Sequence, residues 1–325
     1  MLYIIVILGL LVFIEAFYKK LPTLALKRVD VSRQINPMRV VEGDDAVLET
    51  TIANRKLLPL PWIRLQSTVP WQLSFKDAKT VQIRKDEACE HTVTSSLLFY
   101  ERLQRKDHFT AVKRGYYKLD ACLFQTGDLF GWVDTEMVLD APVRLWVHPK
   151  VRPLDQLIQD TKSLYGEISV KRWIVPDPLL IAGARDYTNR DPFSSIDWKA
   201  TARANRLQVK QYDYTADRAV QVFLDTQSHI TFWKNMRKDA VEKSVEIAAS
   251  VIQEAIQIKA PIGLVVNNLA LDGSRFMNVP QGLSSSHRTV LMDTLAMATE
   301  FRTECMGKIM SIMCKNLAQH TVIVL

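Results

Sequence analysis

Side chains able to do chemistry are densest between Gly183 and Arg203, where the chain reads GARDYTNRDPFSSIDWKATAR. Carboxylates at Asp191 and Asp197 stand among Arg185, Arg190, Lys199 and Arg203. A guanidinium fork can hold a carboxylate through two parallel bonds, so pairs of this kind would stiffen an otherwise irregular loop into a brace between neighbouring domains. Tyr187 and Trp198 beside arginine are also the residue types enriched where proteins grip one another, so the stretch fits a docking surface too. An active site is the third option, and it has less to support it.

Elsewhere the usual catalytic patterns are missing from the sequence. It contains no Gly-x-x-x-x-Gly-Lys-Ser/Thr phosphate loop, no His-Glu-x-x-His and no Gly-x-Ser-x-Gly elbow. The six histidines, His91, His108, His148, His229, His287 and His320, are isolated along the chain. The four cysteines, Cys89, Cys122, Cys305 and Cys314, lack metal-ligand or disulfide-framework spacing and read as reduced, partly buried thiols. The reading is therefore of a protein that is not an enzyme and needs no cofactor. Lys and Arg give a net charge of +7 but are dispersed, without zinc-finger or RNA-binding signatures. That pattern argues against a nucleic-acid partner and suits a basic face beside anionic lipid.

The elements that must position these residues fall into three parts within 325 residues. Residues 1–18, MLYIIVILGLLVFIEAFY, carry Glu15 as their single charge and as a helix would span roughly 27 Å, close to the hydrocarbon thickness. This predicts a transmembrane helix, followed by a juxtamembrane linker over 19–35. Lys19, Lys20, Lys27, Arg28 and Arg33 all follow the apolar run, so the positive-inside rule puts the soluble part on the cytoplasmic side of a single-pass cell-membrane protein. Over 36–150, short alternating runs such as Ala46–Ile52, Trp62–Leu65, Thr92–Thr94 and Val143–Val147 are punctuated by turn residues. They predict an immunoglobulin-like β-sandwich, with Trp62, Trp71, Trp132 and Trp146 in its core. Residues 151–217 form a connecting segment, and 218–325 read as an α/β domain. In that domain Ala219–Leu224 and Ile262–Val266 are buried strands joined by a helix over 238–258. A further strand is expected near Arg275–Val279, helices at 287–302 and 304–317, and a last strand at His320–Leu325.

Two resemblances follow. The order of elements after residue 218 resembles the von Willebrand factor A fold, although the usual final strands and helices are missing before Leu325, so the domain is expected to be minimal or to continue. The pattern Arg185-Asp186-Tyr187, Asp191, Ile196-Asp197-Trp198 and Ala202-Arg203 resembles a bacterial and archaeal family catalogued as domain of unknown function 58. The likeness continues backwards to Arg114-Gly115-Tyr116, Asp128-Leu129-Phe130-Gly131 and Val147-His148-Pro149, and forwards to Asp225. It implies a von Willebrand-type partner of MoxR-like AAA+ ATPases that helps assemble or activate other protein complexes.

Metal-binding members of the von Willebrand fold end their first strand in Asp-x-Ser-x-Ser, hard oxygen ligands suited to magnesium. Here the residues are Asp225-Thr226-Gln227-Ser228-His229, so Asp225 matches and the hydroxyls are displaced by one position. Asp225 and Ser228 make at most a degenerate metal site, and Asp225 serves equally as a cap for the following loop. The expected function is a membrane-anchored adaptor. The alternatives are a metal-dependent hydrolase near Asp225 and an extracytoplasmic adhesion or envelope module.

Overall fold

The computed structural model describes residues 24–76, 88–128, 134–153, 181–188, 191–212, 219–227, 238–313 and 321–325. The expected transmembrane helix at 1–18 and most of the linker lie outside them. Among the described residues no helix is long and apolar enough to cross a membrane. The chain divides into two compact units, one of Met1–Lys150 with Leu295–Met297 and one of Val151–Thr294 with Ala298–Leu325.

The first unit is a β-sandwich. One sheet has the order β1-β3-β7-β5 and the other β2-β9-β8-β4-β6. The strands are β1 Val29–Asn36, β2 Arg39–Val41, β3 Asp45–Asn54, β4 Leu60–Pro70, β5 Leu73–Phe75, β6 Ala88–Leu97, β7 Arg102–Ala111, β8 Gly115–Gly127 and β9 Asp134–His148. Alternating side chains from both sheets meet in the interior, among them Leu48 and Phe109 from the first and Val69, Leu119 and Leu145 from the second. That is the pleat periodicity read as burial.

Two expectations need correcting. Strand β1 starts at Val29, inside the stretch read as linker, because its inward positions are Val29, Arg33 and Ile35. A buried arginine there hides the apolar alternation. The tryptophans are not the core, which is built from Phe109, Phe124 and aliphatic residues. Trp71 is exposed and Trp62 and Trp146 are half-buried. Trp146 lies opposite Tyr116 on the neighbouring strand, ring centroids 5.1 Å apart, and beneath the Arg39 guanidinium at 5.2 Å. Such cross-strand and cation–π contacts stabilise an outer face as readily as a core. Trp132 lies outside the described residues.

Lys56 ties the start of this unit together. Its buried Nζ donates to Ala25 O and, at 2.8 Å, to Lys27 O, the first carbonyl within the helical residues 24–26 and the second in the turn just after them. Burial lowers its pKa from 10.5 to about 8. A neutral amine retains two N–H bonds, enough for both carbonyls. Between pH 8 and 10.5 the folded state therefore holds fewer protons than the unfolded chain, so stability should rise with pH across that window. Denaturant unfolding at pH 7.5 and 9.5 should show this rise, and it should be smaller in Lys56→Met.

Among its described residues the second unit has a hairpin of β10 Ile181–Asp186 and β11 Gln208–Tyr212 enclosing a 3₁₀ turn, Phe193–Ser195, and α1 Trp198–Ala204. A four-stranded sheet of order β14-β13-β12-β15 follows. In chain order its strands and the helices between them are β12 Val220–Leu224, α2 Lys238–Gln257, β13 Ile262–Val266, β14 Met277–Gly282, α3 Ser285–Met297, α4 Met306–Met313 and β15 Thr321–Val324. Strand β12 runs parallel to β13 and β15, and β14 is antiparallel. Every residue of β12 and β13 is buried, as strands covered on both faces must be. Helix α2 buries Val241, Val245, Ala248, Ile252 and Ala255 at the spacing expected of one face.

The helix expected at 287–302 stops at Met297, and a side chain explains why. Asn268 accepts from Thr299 N–H at 3.1 Å and donates to Thr299 O at 3.1 Å and Phe301 O at 2.6 Å, holding that backbone in a loop.

Candidate functional site

The signature residues assemble into a small, tightly bonded motif. Strands β10 and β11 pair antiparallel, and Ile196 bridges to Val209 with both side chains buried. Asp197 N–H donates to Gln208 O at 2.8 Å, and Tyr187 N–H to Leu207 O at 3.0 Å. Helix α1 is thereby laid along β11. It has a complete set of caps: the Asp197 carboxylate accepts from Lys199 N–H at 3.0 Å and Ala200 N–H at 3.1 Å, while Asn205 closes the far end at φ 52°. Thr201 Oγ1 accepts from Gln208 N–H at 2.9 Å.

Arg185 grips Asp191 through both terminal nitrogens, at 2.8 and 2.6 Å. Thr188 adds its backbone N–H at 2.9 Å and its hydroxyl at 2.7 Å to the same carboxylate. The Arg185 fork, then the Thr188 donors, hold the Asp191 carboxyl far below the usual range, and Asp191 raises Arg185 in turn. The expected bidentate pairing is thus realised at Asp191. Asp197 departs from it: its place ahead of Trp198-Lys199-Ala200 makes it a helix cap, and it has no ion-pair partner among the described residues. Asp186 is used as well, by the Arg206 guanidinium at 3.2 Å and the Gln208 amide. Arg190 lies outside the described residues.

With these carboxylates committed, the aromatic and cationic side chains face solvent. Phe193 is 72% exposed and Trp198 68% exposed, and Lys199 and Arg203 are exposed too, with no ion-pair partner among the described residues. Tyr187 is half-buried and packs on Phe193 with centroids 5.7 Å apart. The acids of the motif are bonded internally and its aromatics face outwards.

A second polar cluster lies where β12 and β13 end. Neighbours β13 and β15 flank β12 on opposite sides, so Asp225 stands where open α/β sheets change direction and place ligands. Here the position is filled from within. Asp225 Oδ1 accepts from Gln227 N–H at 2.9 Å and Asn267 Nδ2 at 2.7 Å. Buried Asn267 accepts from Thr226 N–H at 3.0 Å and the Thr226 hydroxyl at 2.9 Å, and Asn268 Nδ2 reaches that hydroxyl at 3.2 Å. Arg302 bonds Gln227. Asp225 therefore acts as a loop cap, and its candidate co-ligand Ser228 lies outside the described residues. No group of three His, Cys, Asp or Glu side chains among the described residues could hold a metal ion. The asparagine pair was not foreseen, yet two amides directly after a buried strand are its visible signal.

Comparison with known proteins adds the following. Residues 183–316 match the family model described as protein of unknown function DUF58. The uncharacterized protein YeaD of Bacillus subtilis (strain 168) is 20% identical over 239 residues, 74% of this chain and 56% of the relative, so the chain spans little more than half of that protein. Among solved structures, a human PapD-like domain is 9% identical with a TM-score of 0.25, covering 38% of this chain and 87% of that one. A cohesin from Archaeoglobus fulgidus is 11% identical with a TM-score of 0.25, covering 36% and 91%.

Proposed function

We propose that this chain is a membrane-tethered adaptor whose signature hairpin docks another protein, and that the partner is a MoxR-like AAA+ ATPase acting in the assembly or activation of further complexes. The observation that carries the reading is the exposure of Trp198 and Phe193 on a motif whose acidic groups are all bonded internally. Structure invested in holding large aromatics out in water is explained by a partner that covers them. The absence of a catalytic motif in the sequence fits an adaptor, and the match of residues 183–316 to the DUF58 model is consistent with it. The β12–α2–β13 crossover, with Asp225 at its switch point, supports a von Willebrand factor A type for the α/β unit. The apolar run at 1–18 supplies the tether, and the basic residues after it put the adaptor on the cytoplasmic side.

The full chain in detergent should bind a MoxR-like ATPase encoded in the same genome, and Trp198→Ala should weaken that binding about 30-fold or more, as loss of a hot-spot aromatic does. Because Trp198 is exposed, the variant should melt with the parent. An ATPase that binds neither form, or both equally, overturns the assignment.

A further inference from the structure

Three backbone segments converge at one end of the sandwich: the turn 24–28, the β3–β4 loop at 55–59 and the β6–β7 connection at 98–101. Hydrogen bonds lock them together. Arg55 N–H donates to Arg28 O at 2.9 Å and Tyr100 N–H to Lys56 O at 3.2 Å, while Asn54 Nδ2 donates to Leu58 O at 2.9 Å and Leu98 O at 2.8 Å. Side chains projecting from these segments therefore share one surface.

That surface is apolar. Leu57 is 74% exposed, Tyr100 63%, Leu98 60%, Phe99 59% and Leu24 39%. Consecutive exposed apolar residues such as 98–100 are unfavourable in water unless something covers them. Tyr100 is also held at φ 52°, a strained backbone for an aromatic residue, and strain of this kind persists where a site requires it. Lys27 and Arg28 lie exposed in the same segments, while Arg55 is paired with Asp30 at 2.8 Å and the Glu101 carboxylate accepts from Leu98 N–H at 2.6 Å.

The sequence says what lies next to this end. Only residues 19–23 separate Leu24 from the apolar run at 1–18. Fully extended, such a connection reaches less than about 20 Å. If 1–18 spans a bilayer, the converged loops cannot be far from its headgroups.

We propose that this end of the sandwich is seated in the membrane interface, with Leu57, Leu98, Phe99 and Tyr100 at headgroup depth and Lys27 and Arg28 against the phosphates of acidic lipids. Aromatic side chains favour that depth, and cations beside it are drawn to anionic lipid. The sandwich is then fixed against the bilayer instead of swinging on its tether. The proposal rests on reading 1–18 as a membrane span.

The test uses the full chain in vesicles of phosphatidylcholine with phosphatidylglycerol, carrying Cys305→Ser and Cys314→Ser. A nitroxide is attached through Leu57→Cys, Phe99→Cys or, as a control at the opposite end of β7, Val112→Cys. Power-saturation measurements should place the first two at headgroup depth, sunk about 5–10 Å into the headgroup–acyl boundary region as other interfacial apolar faces are, and leave the third aqueous. Adding Lys27→Glu with Arg28→Glu should move the two buried labels towards water. An alkaline wash separates the premise from the proposal. If the chain stays with the vesicles while all three labels read as aqueous, the seating is wrong and the span stands. Release by the wash overturns the span and the seating together. Labels at 57 and 99 shielded from oxygen and nickel chelate alike would mean a protein covers this end, which also overturns the proposal.

Discussion

Asp107→Ala is expected to lower the unfolding free energy of the sandwich by about 3–5 kcal/mol, the cost of breaking a buried charged group away from its partners. Asp107 is 1% exposed and sits on β7, while the facing His91, 2% exposed, sits on β6 of the other sheet. His91 Nε2 lies 3.4 Å from one carboxylate oxygen, a charge contact without hydrogen-bond geometry, and Arg105 Nε donates to the other at 2.6 Å. The His91 ring packs on Phe75 with centroids 4.6 Å apart, and Phe75 packs on Phe109 at 5.1 Å, so the polar contact is sealed by aromatic surface. Strand β5 beyond it is only three residues long, which leaves this pair to close the edge between the sheets. Burial works to raise the Asp107 pKa, but the His91 ring and the Arg105 guanidinium outweigh it, and the carboxyl is held below its ordinary range. A depressed acid contributes stability above its unfolded pKa of about 3.9 and loses it as pH falls through the folded value. Acid unfolding of the parent should therefore have a component that Asp107→Asn lacks. Calorimetry at pH 7 showing less than about 1 kcal/mol of destabilisation in Asp107→Ala would refute this account.

How much of this was legible beforehand depends on what each residue answers to. The runs at Val220–Leu224 and Ile262–Val266 announced buried strands because both faces must be apolar, and α2 announced itself by the spacing of Val241, Val245 and Ala248. Alternation at Ala46–Ile52 and Val143–Val147 marked the sandwich for the same local reason. What escaped depends on partners distant in sequence. Arg33 made β1 look like linker, the hold of Lys56 on Ala25 and Lys27 spans about thirty positions of sequence, and the role of Asn268 in ending α3 needs Thr299 and Phe301 beside it. In the signature, the Arg185–Asp191 grip could be anticipated from residue types six positions apart, whereas the outward aim of Trp198 follows from where β11 lays its helix. Charge counting alone could not tell the ion-paired acid from the capping one.

Arg33→Met should be as damaging, again about 3–5 kcal/mol, by stranding buried carbonyls instead of a buried acid. Pro142 interrupts β9 where a ladder N–H would be needed, and the ladder yields: Leu119 pairs with Val143 and Ala121 with Asp140, leaving Asp120 opposite both Ala141 and Pro142. The Arg33 fork, 7% exposed, reaches across from β1 to satisfy the oxygens this bulge releases. Nη2 donates to Asp120 O and Ala141 O at 2.6 Å each, Nε to Ala141 O at 3.0 Å and Nη1 to Ser67 Oγ at 3.0 Å. The guanidinium stands between two apolar clusters, one holding Leu119 and Leu145, the other Cys122, Ala141 and Phe124. Burial lowers its pKa, yet an arginine starts high enough to remain charged. Methionine fills the stem's volume and supplies no donors, so the transition of the sandwich should fall by roughly 10 °C or more. Arg33→Lys keeps the charge and can reach some of the three oxygens, so it should recover part of the loss. A methionine variant as stable as the parent would show that the bulge carbonyls are hydrated, and that the sandwich has one continuous core in place of two halves joined at Arg33.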